Sequence, residues 1–408
     1  MVETRQAQRS APVVADEASW LEIDAAALRH NLELFRGVAR GDEGAPALGA
    51  VLKGNAYGHG FAEVLPLVHP LVDCLYVITA QDALLVREHE ARAGEGRREV
   101  VVLGAVSPRE AAALAEAGIA LVIGDRSLLA LADALRQASA PPLDVHVHVD
   151  TGLSREGFLV EDLPEVGALL ARCADVLRPT GVLSHFANVE DVTEQDYALS
   201  QVRRFEEALA SLEASLPRGT RLRRHMAASA ASLVLPSSRF DTLRVGISLY
   251  GLWPSPSTRL SARVVLGETP TLRPALSWRC RSQVVRSLPA GSFVGYGCTF
   301  RCSEPTRVAV LPVGYFDGYP RLLSGKGHVL VGGQRCPVLG RVMMNHVIVD
   351  VMRAARDGED QVVATLLGSD GEETLSADTL AGWADTISYE IVARLGAHLK
   401  RIVVDRER

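Results

Sequence analysis

The stretch EVVVLGAVSPREAAALAEAGIALVIG (99–124) contains two short apolar runs and a helical segment between them. Its two ends, EVVVLG (99–104) and IALVIG (119–124), are short continuous apolar runs, as is typical of strands in a parallel sheet. The segment between them, PREAAALAEAG (108–118), has the composition and spacing of an amphipathic helix. The stretch therefore predicts a strand, a crossover helix and a second strand.

The same alternation of apolar runs and helical segments continues on both sides of this stretch. The apolar runs are ALGAVLK (47–53), DCLYVIT (73–79), EVVVLG (99–104), IALVIG (119–124), LDVHVHVD (143–150), PTGVLSHF (179–186), RLRRHMA (221–227) and FDTLRVG (240–246). Eight such runs with helical crossovers predict a (β/α)8 TIM-type barrel, whose chemistry is expected in the loops after the strands. The competing interpretation is an open doubly wound sheet, and the lack of a GxGxxG fingerprint after the first strand weighs against it.

The character of the chain changes at WPSPSTRLSARVVLGETPTLRPA (253–275), which contains four prolines. Beyond it, β-rich runs with turn signals predict a smaller, mostly antiparallel β domain with a short late helix (388–399) and a final strand (400–405). We therefore predict a disordered tail over residues 1–18, a barrel over 19–262 and a C-terminal β domain over 263–408.

Composition excludes several classes of function. With 48% hydrophobic and 23% charged residues and a net charge of −6, the chain is typical of a globular protein and offers no basic face for nucleic acid. The sequence shows neither an apolar run of membrane-spanning length nor a signal peptide, which predicts a cytoplasmic protein. Six cysteines without a CxxC pair predict reduced thiols and no metal.

Lysine usage is the most informative count, because only Lys53, Lys326 and Lys400 are lysines among 43 basic residues. Arginine holds its proton, so a chain that otherwise uses arginine keeps a lysine where an amine must lose one. Lys326 and Lys400 lie in polar surroundings and are expected at the surface. Lys53 ends an apolar run and precedes a glycine-rich loop, which makes it the candidate reactive amine.

The loop AVLKGNAYGHG (50–60) resembles the cofactor-lysine motif of alanine racemases, the fold-type III pyridoxal-phosphate enzymes built of a barrel and a β domain. Eight further motifs of that family follow in the same order, and the resemblance covers nearly the whole chain from Trp20. They are VDTGLSREGF (149–158), SHFA (184–187), HMAASAASL (225–233), RVGISLYGLWPS (244–255), VGYGCTF (294–300), VGYFDGYPR (313–321), GRVMMNHVIVD (340–350) and TISYEI (386–391).

The resemblance implies pyridoxal 5'-phosphate as the cofactor, bound covalently to Lys53. By the same resemblance, Tyr57 donates to the cofactor phosphate. Ser229, Gly246 and Ile247 match positions that hold the phosphate through a hydroxyl and backbone N–H groups. A phosphate at the loops after strands seven and eight is also what barrels commonly bind.

Two further cofactor contacts and one supporting residue are implied by the resemblance. Arg244 faces the pyridine nitrogen and, because it keeps its proton, leaves that nitrogen unprotonated. His185 supports Arg244 and links it to the catalytic tyrosine. Tyr389 touches the phosphate and narrows the entrance.

Racemisation needs proton transfer on both faces of the substrate Cα, and the resemblance assigns the two bases to Lys53 and Tyr296. In the family the tyrosine comes from a second subunit, which implies a homodimer with composite sites. Arg155 and the backbone N–H of Met344 correspond to the groups that bind the substrate carboxylate. The entry corridor is matched by Tyr315, Arg321, Arg341 and Ile387.

The chain departs from the family pattern at His148, where many members carry a carbamylated lysine that orients the arginine matching Arg155. An imidazole with an ordinary pKa would change its charge around pH 6 to 7. His148 therefore leaves two expectations open, a titrating support for Arg155 or simple packing inside the barrel. Ala228 and Asn345 replace a common Asn and a common Asp.

The sequence thus predicts an alanine racemase that supplies D-alanine for peptidoglycan. The alternative enzyme is a broad-specificity or serine-type racemase of the same family in a specialised pathway. A non-catalytic cofactor-carrying barrel would not need Tyr296 or a β domain. A decarboxylase or aldolase of fold type III is disfavoured by the same tyrosine and by Arg244.

Overall fold

The computed structural model describes residues 17–40, 44–356 and 358–406. The predicted disordered tail over residues 1–18 lies outside the described residues, apart from its last two. The chain divides into two compact units. Residues Ala26–Pro274 form one, the barrel unit, and the segment ending at Ala25 together with Ala275–Arg408 forms the other, the β unit.

Strands and helices alternate through most of the barrel unit, whereas the β unit consists mainly of strands. The strands are β1 (Ser19–Asp24), β2 (Ala47–Val51), β3 (Cys74–Val77), β4 (Glu99–Val102), β5 (Ala120–Ile123), β6 (Leu143–Asp150), β7 (Phe158–Leu159), β8 (Leu177–Leu183), β9 (Arg223–His225), β10 (Thr242–Val245), β11 (Leu276–Arg281), β12 (Val284–Leu288), β13 (Phe293–Val294), β14 (Phe300–Arg301), β15 (Thr306–Leu311), β16 (His328–Val331), β17 (Gln334–Pro337), β18 (Val347–Asp350), β19 (Val363–Asp370), β20 (Glu373–Leu375) and β21 (Lys400–Val404). The helices are α1 (Ala25–Ala39), α2 (Lys53–Tyr57), α3 (Phe61–Val68), α4 (Ala80–Ala93), α5 (Pro108–Glu116), α6 (Leu128–Ala138), α7 (Leu163–Arg172), α8 (Asp196–Ser215), α9 (Ser229–Val234), α10 (Pro256–Leu266), α11 (Ala377–Ala384) and α12 (Ser388–Ala393).

The barrel unit contains eight parallel strands in the order β10, β2, β3, β4, β5, β6, β8, β9, with β7 paired beside β6. A parallel bridge between Ala228 and Arg244 links the chain after β9 back to β10 and nearly closes the barrel. Each strand coincides with one of the eight apolar runs. The (β/α)8 prediction is therefore confirmed.

The helices around these strands form because their sequences are amphipathic and capped. In α6, Leu128, Leu131, Ala132 and Leu135 recur at helical spacing and are all buried. Helix α5 begins with a capping box, in which the Ser107 hydroxyl accepts from the backbone N–H three residues later. Burial of one apolar face fixes each crossover against the sheet and leaves the loops after the strands free to carry the site.

The β unit is built mainly from antiparallel pairs, as predicted. Its largest sheet has the order β17, β16, β19, β11, β1, β21, and only β1 and β21 pair in parallel. Strand β1 lies in this sheet because Leu21 and Ile23 are fully buried there and β11 pairs with it along its length. The predicted boundaries at residues 19 and 263 differ from this division, since β1 belongs to the β unit and all of α10 to the barrel unit.

Within the described residues, none of the helices combines the length and apolar character needed to traverse a lipid bilayer.

Candidate active site

The candidate residues of the barrel unit come from five different strand ends. Lys53 follows β2, Arg155 follows β6, His185 follows β8, Ser229 follows β9 and Gly246 follows β10. Parallel strands bring these ends to one rim of the barrel. The structure therefore gathers residues that are almost 200 positions apart in the chain into one site.

The turn that carries Lys53 has an unusual backbone. Gly54, Asn55 and Ala56 have φ angles of +63°, +55° and +53°, and Tyr57 follows at +53°. A left-handed conformation costs a non-glycine residue about 1–2 kcal/mol. Such strain persists where the surroundings enforce it, and it is concentrated at functional sites. Here it brings Lys53 and Tyr57 within one turn of each other.

The Lys53 amine is surrounded by groups that disfavour its charge. Burial lowers its pKa from the ordinary value, and the positive charges of Arg155 and Arg244 lower it further, while Glu156 opposes the shift. A neutral amine is the form that can act as a nucleophile or accept a proton. Lys53 therefore meets the chemical requirement that its sequence position suggested.

A polar cradle lies where α9 and the 3-10 segment Ile247–Tyr250 begin. The Ser229 hydroxyl accepts a hydrogen bond of 3.0 Å from the backbone N–H of Gly246. A Cβ at Gly246 would lie 2.5 Å from the Tyr57 hydroxyl, so only glycine leaves room there. The first N–H groups of a helix have no partner within that helix, which makes such a cradle suited to an anion such as phosphate.

Tyr57 is held in this position by its own packing. Its ring centroid lies 5.2 Å from that of Tyr250, whose hydroxyl donates to the Val51 carbonyl at 3.0 Å. Burial raises the pKa of Tyr57 to about 12. Tyr57 therefore keeps its proton at neutral pH and remains a hydrogen-bond donor.

Arg244 is buried, and its guanidinium group is fixed by acceptors from neighbouring strand ends. It donates to the carbonyl oxygens of Ser184 at 2.8 Å and Met226 at 3.2 Å. It also donates to the carbonyl of His225 and, at 3.0 Å, to the Nδ1 atom of that residue. Burial lowers the pKa of Arg244 to about 10, so it remains charged at neutral pH.

Sequence reasoning named His185 as a support of Arg244 but missed two further histidines, His225 and His146. His225 Nε2 lies 2.9 Å from His146 Nδ1, and His146 Nε2 lies 3.5 Å from Glu99, which is paired with Arg223. Burial lowers the pKa of both histidines, that of His146 to about 3. Both rings are therefore neutral, and donation by Arg244 to Nδ1 of His225 places that ring's proton on Nε2. One signal was available, since His146 and His148 alternate in LDVHVHVD and so share a strand face.

The structure corrects one expectation from the sequence, which concerns the charge of His148. Burial lowers its pKa to about 4, with Glu156 opposing the shift from 3.9 Å away. The expected change of charge at this residue around pH 6 to 7 is therefore wrong, because the ring is neutral throughout that range.

His185 and Arg155 lie beside the same group of charges. His185 Nδ1 is 3.4 Å from the Arg244 guanidinium, and its pKa falls to about 3 through burial and then through Arg244, Arg155 and Lys53. Arg155 is more exposed and binds Glu156 with two hydrogen bonds of 2.8 and 3.1 Å. The structure thus brings Lys53, His185, Arg155 and Arg244 together.

The β unit carries the remaining candidates. Tyr296 is 72% exposed and lies in a turn between Gly295 and Gly297, whose φ angles are +73° and +75°. A Cβ at Gly297 would lie 3.3 Å from the Arg341 guanidinium carbon, so this side chain lies beside the tyrosine turn.

Met344 and Tyr315 lie on neighbouring loops of the same unit. The backbone N–H of Tyr315 donates to the Met343 carbonyl at 3.1 Å, and that of Phe316 donates to the Met344 carbonyl at 3.0 Å. Met344 is 54% exposed. The two loops therefore form one surface that carries a predicted carboxylate contact and a predicted corridor residue.

A cavity of about 500 Å³ in the β unit is lined by two of the residues predicted for the entry corridor. Its lining includes Tyr315 and Arg321, together with Tyr319, Asp385, Glu390 and Arg394. Arg341 and Ile387 are not among its lining residues, and neither is the partly buried Tyr389. The predicted corridor residues therefore do not all share one cavity.

The comparison with known families decides the class of the protein. Residues 23–254 match the alanine racemase N-terminal domain, and residues 275–403 match the alanine racemase C-terminal domain. The chain belongs to the alanine racemase family. It is therefore an amino-acid racemase, an isomerase, as the motifs predicted, and the family is one of pyridoxal-phosphate enzymes.

Individual relatives agree along the whole length. An alanine racemase of Leptospira interrogans serogroup Icterohaemorrhagiae serovar copenhageni is 35% identical over 391 residues, covering 95% of this chain and 96% of the relative. The crystal structure of alanine racemase from D-cycloserine producing Streptomyces lavendulae has a TM-score of 0.83 at 31% identity and covers 96% of this chain and 98% of its own. A histidine racemase from Leuconostoc mesenteroides subsp. sake is similar too, with a TM-score of 0.81 at 26% identity over 97% of this chain and 99% of its own.

Proposed function

We propose that this racemase interconverts L-alanine and D-alanine with pyridoxal 5'-phosphate bound to Lys53, using Lys53 and Tyr296 as the two bases. The observation that carries the proposal is the environment of Lys53. Its amine is partly buried, has a lowered pKa and lies within the electrostatic reach of Arg155 and Arg244. The motifs and the relatives named alanine racemase support alanine as the substrate.

The residues present fit the cofactor. The Ser229 hydroxyl, the Ile247 N–H and the protonated Tyr57 would hold the phosphate, with Tyr389 as a further contact. The Gly246 N–H donates to the Ser229 hydroxyl and would exchange that hydrogen bond for one to the phosphate. The close approach of the Tyr57 hydroxyl to Gly246, where a Cβ would lie only 2.5 Å from that hydroxyl, supports this fit because it places the two groups at one point. When bound, pyridoxal phosphate draws electron density from the substrate Cα and so makes its proton acidic.

Arg244 and Arg155 provide the fixed charges of the proposed site. Arg244 would bind the ring nitrogen and, with a pKa of about 10, would keep its own proton at neutral pH. The strand-end carbonyls and His225 prevent its guanidinium group from turning away. Arg155 would bind the substrate carboxylate, for which it must exchange its ion pair with Glu156.

The two bases move protons on opposite faces of the substrate Cα. The deprotonated Tyr296 oxygen takes the proton from the L enantiomer and becomes the hydroxyl, and the protonated form of the Lys53 amine gives a proton to the other face and becomes neutral. In the reverse direction Lys53 takes the proton from the D enantiomer. Lys53 suits this role because its neutral form is favoured.

The site is completed by a second subunit in our proposal. Tyr296 is 72% exposed, and large apolar side chains on the same unit are exposed as well, among them Phe316 at 60%, Met344 at 54% and Ile387 at 62%. Exposed apolar surface of this kind marks an interaction site. We therefore infer a homodimer in which Tyr296 of the partner subunit acts on the substrate held at Lys53, while Met344 contributes its backbone N–H to the carboxylate.

The cytoplasm is the compartment that we propose. All six cysteines are free, and five of them are buried. Unpaired thiols are typical of a reducing compartment. The expected absence of nucleic-acid partners follows from the acidic net charge.

A substrate panel tests the proposal. The holoenzyme is assayed in both directions with alanine, serine and histidine, and chiral chromatography measures kcat/KM for each amino acid. We expect the highest kcat/KM for alanine. A higher value for serine would favour the serine-type alternative, and a higher value for histidine would place this enzyme with the histidine racemase.

A further inference from the structure

A cluster of two histidines and one glutamate lies in the barrel unit away from the strand ends that carry Lys53. His69 follows α3, His89 is in α4, and Glu95 lies just beyond the end of α4. Each of the three side chains contributes one atom that could bind a metal ion, an imidazole nitrogen or a carboxylate oxygen, and these three atoms all lie within 4.8 Å of one another. We call this set the His69 cluster.

The three atoms approach each other without forming hydrogen bonds. His69 Nδ1 is in contact with Glu95 Oε2, and His89 Nε2 lies 3.6 Å from the same oxygen. Each of the three atoms is buried, and although both imidazole nitrogens approach the same carboxylate oxygen, none of the three makes a well-formed hydrogen bond within the described residues. Burying a polar atom without a partner costs roughly 1–3 kcal/mol. Three such atoms that converge on one point indicate a shared ligand.

The surroundings fix the orientation of His69. The whole residue is 1% exposed, and its Nε2 atom lies 3.0 Å from Glu90 Oε1. Glu90 in turn accepts from the Arg87 side chain at 2.8 Å and from the Arg98 backbone N–H at 2.8 Å. The Glu90 carboxylate accepts a hydrogen bond from His69 Nε2 and so keeps the ring proton on that nitrogen, which leaves the Nδ1 lone pair of His69 directed into the cluster.

We propose that the His69 cluster binds one divalent zinc ion through His69 Nδ1, His89 Nε2 and Glu95 Oε2, with water in the fourth position. Two imidazoles favour a transition metal over calcium or magnesium, and two histidines with one glutamate form a known zinc set. Zinc bonds of about 2.0–2.2 Å in a tetrahedron separate neighbouring ligand atoms by roughly 3.3–3.5 Å, so only small side-chain movements are needed.

The position of the cluster indicates a stabilising role. His69 precedes β3 and Glu95 precedes β4, so the ion would join two loops at the N-terminal rim of the barrel. Residues at this rim serve stability, whereas the candidate active site lies at the opposite, C-terminal rim. The ion would thus hold the end of α4 against the segment between α3 and β3.

Zinc titration of the full-length holoenzyme, stripped of metal with a chelator, tests this site. Isothermal titration calorimetry with zinc chloride is expected to give one ion per chain with a dissociation constant in the micromolar range or below, and zinc is expected to raise the melting temperature. His89→Gln and Glu95→Gln should each weaken binding at least tenfold. Glu90→Gln should weaken it by roughly 10- to 100-fold, because it acts through His69.

The matched control is Glu88→Gln, which removes an exposed carboxylate next to His89 on the same helix. Its zinc affinity should equal that of the wild type. Glu95 is only partly buried, so its variant tests the site even if His89→Gln fails to fold. Absence of binding by the wild type at 100 μM zinc would overturn the proposal, as would equal affinities for the wild type and both ligand variants.

Discussion

The contact between Gly246 and Tyr57 gives a prediction whose magnitude follows from the structure. In Gly246→Ala the new methyl group would lie 2.5 Å from the Tyr57 hydroxyl, whereas ordinary contact begins at 3.4 Å, so the tyrosine must retreat by about 0.9 Å. Packing against Tyr250 opposes that movement. Overpacking of this kind costs about 1–3 kcal/mol. If that cost falls on the cofactor site, the dissociation constant for pyridoxal phosphate rises roughly 5- to 150-fold.

A double-mutant cycle isolates this contact. In a Tyr57→Phe background the nearest remaining atom is the ring carbon Cζ at 3.2 Å, so Gly246→Ala should weaken cofactor binding less than fivefold beyond the loss due to Tyr57→Phe alone. Absorbance titration of the apoenzymes measures all four constants. Gly37→Ala is the control, because a Cβ there meets no atom within 4 Å. Equal losses from Gly246→Ala in both backgrounds would refute the predicted steric coupling.

Three further predictions concern the bases and the histidines. Tyr296→Phe should retain the bound cofactor but lose roughly 10²- to 10⁴-fold in kcat. Mixing Tyr296→Phe subunits with Lys53→Ala subunits should restore activity through hybrid dimers. Full activity of Tyr296→Phe would exclude the two-base assignment. His148→Asn should leave the shape of the kcat/KM profile between pH 6 and 7 unchanged, because the pKa of His148 is already lowered to about 4; loss of an inflection in that window would contradict this. Burial lowers the pKa of His146 from its ordinary value of 6.5 to about 3 in the folded chain. Between pH 6.5 and 3, therefore, the imidazole is protonated in the unfolded chain but not in the folded one. The free energy of unfolding consequently falls as the pH falls through that window. In denaturant titrations, the free energy of unfolding of His146→Asn should fall less steeply with decreasing pH than that of the wild type. Equal pH dependence in both proteins would contradict the contribution assigned to His146.

The barrel was predictable because its information is local. Each apolar run, such as EVVVLG, carries its own strand signal, and eight of them with helices between them leave few topologies. The place of strand β1 could not be predicted from such a local signal. Its residues Leu21 and Ile23 pair with a strand more than 250 positions away, and no local pattern distinguishes that partner from a barrel strand.

The site residues were likewise predictable where their signal is local in the sequence and unpredictable where it depends on the folded chain. The position of Lys53 was readable because an amine at the end of an apolar run is costly. His225 was not singled out, since its partner His146 lies 79 residues away and the pair exists only after folding. The neutral state of His148 was likewise unreadable, because burial sets its pKa and burial is a property of the closed barrel.

Borohydride reduction of the purified holoenzyme, followed by peptide mapping, tests the central claim most directly. The chain contains three lysines, so the outcome has few alternatives. We expect one cofactor per chain, fixed to the peptide that contains Lys53. A label on Lys326 or Lys400 would contradict the account.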